Sequence, residues 1–193
     1  MSIALVSGTQ RRWSEVDNAW GITIGPGELY VTTTNEVIIT VLGSCVSACI
    51  KDAIAGVAGM NHYMLPGDFR ADNGSSARYG VYAMEALVNE MLRLGARRQN
   101  MTVKLVGGGR MWADGTDIGA GNIAFAKSFL AEEGLALVGL DVGGNRPRRV
   151  HFRTAEGVVR VKALGEMTRD LDQREASYRA QLKAPQTGNV ELF

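Results

Sequence analysis

The 193-residue chain has two cysteines and two histidines, and the stretch TVLGSCVSACIKDAIAGVAGMNHYMLP over 40–66 holds both cysteines and one of the histidines. Cys45 follows the step Gly43-Ser44, and His62 lies seventeen positions later. A thiol is a strong nucleophile only as thiolate, and a neighbouring imidazole favours that form by taking the proton into a charged pair. Gly43 and Ser44 allow a sharp turn whose backbone N–H groups can hold an oxyanion when a carbonyl is attacked. Thr40, on the run before the turn, can hydrogen-bond the imidazole and fix its tautomer. Together these residues supply a nucleophile, a base and an orienting group. They do not specify a substrate.

Such a set requires a β-hairpin to bring its ends together. The runs 46–50 and 57–65 are apolar and rich in β-branched residues, and the polar, glycine-containing stretch 51–56 breaks them. An even-length loop centred between Ala53 and Ile54 pairs Cys45 with His62, with β-carbons about 4.5–5.5 Å apart. A one-residue slip pairs Cys45 with Tyr63 and turns His62 to the other face. The bland reading of the same residues is a core cysteine and a hydrogen-bonded structural histidine. Alternation puts Cys49 on the same side as Cys45.

Composition narrows the classes. The length suits one domain with a core that needs no disulfide staples. A formal net charge of +1 argues against a nucleic-acid or polyanion binder. Two cysteines four positions apart make no disulfide framework, and the further ligands of a zinc site are missing. A reducing, cytoplasmic setting fits this usage. Neither a signal sequence nor a membrane-length apolar run is present, so no membrane insertion is expected.

In chain order, 1–21 reads as an N-terminal extension, apolar at first and then polar around Trp13 and Trp20. Its tryptophans either fold back on the domain or meet a partner. Short strands are expected over 22–24 and 28–33, and 36–42 is a continuous β-prone run that delivers the chain to Cys45. The Gly-, Asp-, Asn- and Ser-rich 67–78 reads as an exposed loop beside the site. A helix over 79–94 carries Val81, Met84, Leu87, Val88, Met91 and Leu92 on one stripe, with Gly95 placed to end it. A strand over 102–106 enters Gly107-Gly108-Gly109, where no GK[ST] follows and the GxGxxG spacing is absent. These glycines are instead expected where backbone closely approaches another segment, either substrate or the Cys45 turn. A second helix over 122–133, a strand over 135–142 and a hairpin of 150–153 with 158–162 follow. His151 on that hairpin is assigned a surface or structural role. Charges alternate in TRDLDQREASYRAQLK, so 165–193 reads as a charged helix or tail beyond the core, with a linker at 185–188 and an apolar end at 189–193. The order of elements predicts an α/β (α+β) domain of mixed and antiparallel sheets, because hairpins outnumber crossovers.

The motifs LGSCVSACIKD and AGMNHYMLP, followed by VGGGRMW at 106–112, IGAGN at 118–122 and DVGGNRPRRV at 141–150, resemble the signature of the CheD family, the chemoreceptor glutamine deamidases. The likeness runs over roughly 22–164, which it implies is a single catalytic domain of layered α/β form with the cysteine and histidine at its surface. It implies Cys45 as nucleophile, His62 as base and Thr40 as third member, acting on glutamines of receptor cytoplasmic helices through a thioester, with no metal or organic cofactor. Some family members also hydrolyse methylated glutamates. The resemblance further implies a CheC-type phosphatase as partner. Two rival readings remain on the residues alone: a non-catalytic adaptor for receptors or a phosphatase, and a cysteine peptidase with the same dyad.

Overall fold

Runs buried on both faces become strands, and runs with a 3.6-residue apolar stripe become the helices that cover them. The computed structural model of the chain describes residues 2–5, 11–65, 75–111, 117–165 and 169–183. Its strands are β1 (Ser2–Leu5), β2 (Arg11–Ser14), β3 (Ala19–Thr23), β4 (Leu29–Thr32), β5 (Glu36–Leu42), β6 (Val46–Asp52), β7 (Val57–Asn61), β8 (Met101–Gly107), β9 (Ala136–Val142), β10 (Arg148–Arg153) and β11 (Val158–Ala163). Its helices are α1 (Ser75–Arg93), α2 (Ile118–Glu132) and α3 (Arg169–Lys183). The expected α/β fold with mixed sheets is the one observed.

The strands form a six-stranded sheet, β1-β4-β7-β6-β8-β9, and a five-stranded sheet, β11-β10-β5-β3-β2. Each sheet is antiparallel except for one parallel pair, β8 with β9 and β3 with β5 respectively. The parallel pair β8–β9 is joined through α2, as a parallel connection requires. β6 lies inside the first sheet, so its two faces serve two cores. Val46, Ala48 and Ile50 meet Met84, Leu87, Val88 and Met91 of α1 and Phe125 and Phe129 of α2. Cys45, Cys49, Met60 and Met64 instead join Ile22, Ile38, Leu42, Val150 and Phe152 from the second sheet. The layers therefore run helices, six-stranded sheet, five-stranded sheet. Cys45 and Cys49 do share a side, and that side lies between the sheets.

Several expectations need correction. The segment 11–21, read as part of an N-terminal extension, forms with the start of the strand expected over 22–24 the hairpin β2–β3 at the edge of the five-stranded sheet. Trp13 and Trp20 are directly opposed there and meet edge to face at 5.6 Å between ring centres, both remaining partly exposed. The turn between β6 and β7 is centred one residue later than expected. Asp52 stays in β6 opposite Val57, and its buried carboxylate accepts from the amides of Ile54 and Ala55 at 2.9 Å and of Arg97 at 2.8 Å. Those bonds hold the turn over 53–56. α1 begins at Ser75, inside the stretch read as loop, and α2 begins at Ile118, where Asp117 caps it by accepting from Ala120 N at 3.0 Å. The rest of the expected loop, from 67 to 74, lies outside the described residues, as do the expected linker at 185–188 and the apolar end at 189–193.

The end of β8 approaches the Cys45 turn closely. Gly107 has φ +108°, and a β-carbon there would collide with the Cys45 carbonyl and sit 2.9 Å from a Leu42 methyl. Gly56 also has a positive φ, +70°, but open space around it. Gly107→Ala is expected to cost about 3 kcal/mol or more, because strain and backbone collision act together. Gly56→Ala is expected to cost about 1 kcal/mol, from conformation alone. Urea unfolding of both variants checks this, and equal losses would contradict the close approach.

Candidate active site

The site is built on the turn Gly43-Ser44-Cys45 between β5 and β6. All three of its carbonyls are tied down. Gly43 O accepts from Gly109 N at 2.8 Å, Cys45 O from Gly108 N at 2.7 Å, and Ser44 O from Asn122 Nδ2 at 2.9 Å. Asn122, in the first turns of α2, also accepts from Leu65 N at 2.8 Å, so one buried amide joins the Cys45 turn to the chain after β7. With the carbonyls held, the Gly43 and Ser44 amides donate to a carboxylate. Gly43 N lies 2.9 Å from Glu175 Oε1, and Ser44 N and Ser44 Oγ lie 3.2 Å and 2.8 Å from Glu175 Oε2. Two adjacent amides on one anion are the arrangement an oxyanion site needs.

His62 follows β7 and is fixed by its backbone and its ring. Its N donates to Glu28 O at 2.9 Å, and its O accepts from Gly27 N at 2.8 Å. Nδ1 lies 2.8 Å from Thr40 Oγ1, and the Thr40 hydroxyl donates to Ile24 O at 2.8 Å. Since the Thr40 proton goes to Ile24, the ring must donate from Nδ1, which leaves a lone pair on Nε2. That Nε2 is buried and has no hydrogen-bond partner. Burial pushes the His62 pKa down to about 3, so the ring is neutral across the physiological range.

The pairing differs from the expected one. Val46 bridges Tyr63, so Cys45 stands opposite Met64, and His62 lies two residues back from Met64 on the same inter-sheet face. The later turn centre moved the register by two, which preserves the face. Across from His62 is Ser47, whose buried Oγ also lacks a partner. Cys45, His62 and Thr40 are all buried, contrary to the surface position that the family likeness implied. One reason is visible: the turn that carries Cys45 lies against α3 through Glu175. Burial, then the charge of the neighbouring Glu175 carboxylate, push the Cys45 pKa well above the ordinary thiol range. Cys49 is pushed up as well, chiefly by burial.

Reading the sequence missed Glu175 and Asn122. Asn122 sits in the noted motif IGAGN, but nothing in one sequence marks which turn it ties down. Glu175 is one charge among many in an alternating run, and no local pattern marks it as buried. Asp17 was missed as well. Its buried carboxylate accepts from Ser14 Oγ at 2.8 Å and meets His151 Nδ1 at 2.8 Å, which gives His151 a structural partner. Burial raises the Asp17 pKa, but the hydrogen bonds of Ser14 and His151 and the charges of His151 and Arg153 outweigh it.

Residues 64–163 match the family model described as CheD chemotactic sensory transduction. Over 192 residues, 95% of this chain and 89% of the relative, the chain is 46% identical to a probable chemoreceptor glutamine deamidase CheD of Halorhodospira halophila. The chain belongs to the CheD family. It is also 47% identical over 184 residues to the protein of that name from Methylobacillus flagellatus, covering 91% of each chain. A third such protein, from Hydrogenovibrio crunogenus, is 47% identical over 187 residues, 92% of this chain and 98% of the relative. The family match begins at residue 64, after the Cys45 turn and His62. Among the described residues no helix is long and apolar enough to cross a membrane, and no group of three acidic, Cys or His side chains could hold a metal ion.

The depressed His62 pKa has a consequence for stability. The unfolded chain takes up a proton near the ordinary histidine value of 6.5, whereas the folded chain resists until about 3. Stability from this group is complete above 6.5 and falls as pH drops from there towards 3. Between pH 7 and 5 the loss is expected to be about 2 kcal/mol. Urea unfolding at both pH values checks it, with His62→Gln as reference: a pH slope unchanged by that substitution would show that His62 does not titrate this way.

Proposed function

We propose that this CheD-family chain is a hydrolase of the bacterial cytoplasm that deamidates glutamine side chains on chemoreceptor cytoplasmic helices to glutamate, in chemotactic adaptation. The relatives' names supply the substrate, and the geometry of the Cys45 turn supports the chemistry. The observation that carries the reading is that the Gly43 and Ser44 amides converge on one side-chain carboxylate at the turn that carries Cys45. A carboxamide bound in that position would place its carbon before the sulfur.

Cys45 is assigned as nucleophile, His62 as base and Thr40 as the residue that holds the ring. The thiol proton passes to His62 Nε2, the one ring nitrogen with a free lone pair. The thiolate then forms an S–C bond to the carboxamide carbon, and the developing oxyanion takes the Gly43 and Ser44 amides as donors. The imidazolium returns its proton to the amide nitrogen as the C–N bond breaks and ammonia leaves. Water activated by His62 attacks the thioester carbon, and sulfur departs, taking back the proton. The balance is glutamine plus water to glutamate plus ammonia, with no redox change. A CheC-type phosphatase belongs to this reading as a regulatory partner, on the family likeness.

Incubation of a chemoreceptor cytoplasmic fragment with the chain, followed by peptide mass spectrometry, tests the assignment. The expected result is glutamine residues heavier by about one dalton, with the rate reduced about 10⁴-fold or more in Cys45→Ala. Binding of the fragment without conversion would instead favour the adaptor, and backbone cleavage would favour a peptidase.

A further inference from the structure

The helix α3 does more than cap the fold. Glu175 is 0% exposed, although it sits in one of the most highly charged runs of the chain. Burying a carboxylate is costly unless hydrogen bonds replace its water, and here Gly43 N, Ser44 N and Ser44 Oγ do so. The fit is close: a β-carbon on Gly43 would stand 2.7 Å from a Glu175 oxygen. Three and seven positions further along α3, Tyr178 and Leu182 pack against the inter-sheet core. Tyr178 also hydrogen-bonds the Tyr79 hydroxyl of α1 and closes on Gly27, whose added β-carbon would lie 2.9 Å from the Tyr178 hydroxyl. Residues 175, 178 and 182 form one stripe of a helix, so α3 is seated over 175–182 and Glu175 is the side chain delivered to the Cys45 turn.

Glutamate is what deamidation of glutamine leaves behind. We propose that the seat of α3 is the substrate-helix subsite, and that α3 occupies it as an internal product analogue with Glu175 where a substrate glutamine side chain goes. This rests on the deamidase reading and adds two things to it. The substrate is a glutamine on an intact helix with apolar or aromatic residues three and seven positions further along, matching Tyr178 and Leu182. The enzyme is also held in check by its own C-terminal helix, which must leave before a receptor helix enters. The state of the other groups agrees. The Glu175 carboxylate at the turn holds the Cys45 thiol protonated, and His62 Nε2 has no partner.

If α3 sits as a substrate does, Glu175→Gln turns the full-length chain into its own substrate. In that variant the Cys45 sulfur would bond to the side-chain carboxamide carbon at position 175, ammonia would leave with the proton carried by His62, and water would release the side chain as a carboxylate. Peptide mass spectrometry of α3 from the E175Q protein is expected to show that conversion, at a rate independent of protein concentration. The double variant C45A/E175Q is expected to keep its glutamine. Glu175→Ala, which empties the subsite, is expected to raise kcat/KM on a receptor fragment about fivefold or more. Glutamine persisting at position 175 in an E175Q protein that deamidates the receptor fragment would overturn the inference and leave the deamidase reading intact. Conversion in the double variant, or at a rate proportional to protein concentration, would overturn it too. Failure of the parent chain on receptor fragments, together with no conversion at position 175, would remove the deamidase reading and this inference together.

Discussion

Three consecutive carbonyls tied from below are the constraint on which the site depends. Gly43, Ser44 and Cys45 each give their oxygen to a donor on another element: Gly109, Asn122 and Gly108. A turn left to itself would turn peptide units in and out of water at little cost. Here each unit is held by its oxygen, and the Gly43 and Ser44 N–H groups are left for an anion. The arrangement needs the end of β8 to approach the turn without side chains, hence Gly107 and its positive φ, and it needs α2 to begin where Asn122 can reach. Preorganised donors of this kind act on a transition state without reorienting at the moment of reaction.

The inter-sheet layer sets the electrostatics of the remaining groups. In a dry interior, a neutral imidazole with one nitrogen bonded to Thr40 costs little to bury, whereas a thiolate or imidazolium costs much. Both pKa shifts therefore point away from charge: the thiol is held protonated and the ring neutral. In the proposed mechanism, proton transfer between them would become favourable only when the negative charge beside the thiol is removed and donors are free to receive an oxyanion. The same carboxylate that satisfies the Gly43 and Ser44 amides also opposes ionisation of Cys45. On that reading, ground-state quiet and catalytic readiness would be two settings of one small set of hydrogen bonds.

Much of this was legible in the sequence where the signal is local. The β-prone, largely apolar runs of β5, β6 and β8 and the stripe of α1 are patterns that burial imposes directly. The glycines after β8 were readable as a close approach, and one of the two partners considered for them, the Cys45 turn, is what they meet. The hairpin register was not fully readable, since it depends on whether Asp52 ends β6 or begins the turn, and its carboxylate does both. The β2–β3 hairpin was missed because the residues of β2 are polar and exposed, and only the parallel pairing of β3 with β5 ties the pair to the sheet. Glu175 was unreadable for a different reason: it is separated by more than a hundred residues from the amides it meets, and it is one charge in an alternating charged run.

That separation matters to how the site works. An occupant carried on the same chain competes at an effective concentration of the order of millimolar, set by tether length and not by expression level. If α3 is such an occupant, a receptor helix would bind only to the fraction of molecules in which α3 has left, and its apparent affinity would be reduced by that fraction. Among the described side chains of α3, Tyr178 and Leu182 are only partly buried, and the three hydrogen bonds of Glu175 would be exchanged for water if it left. Such a helix can be displaced by one with the same stripe and better apolar contacts. It would also exclude an isolated glutamine side chain, which brings no helix to replace α3. Selectivity for a helical substrate would then come from the displacement, and the Cys45 turn itself would need to recognise only the terminal atoms of the side chain.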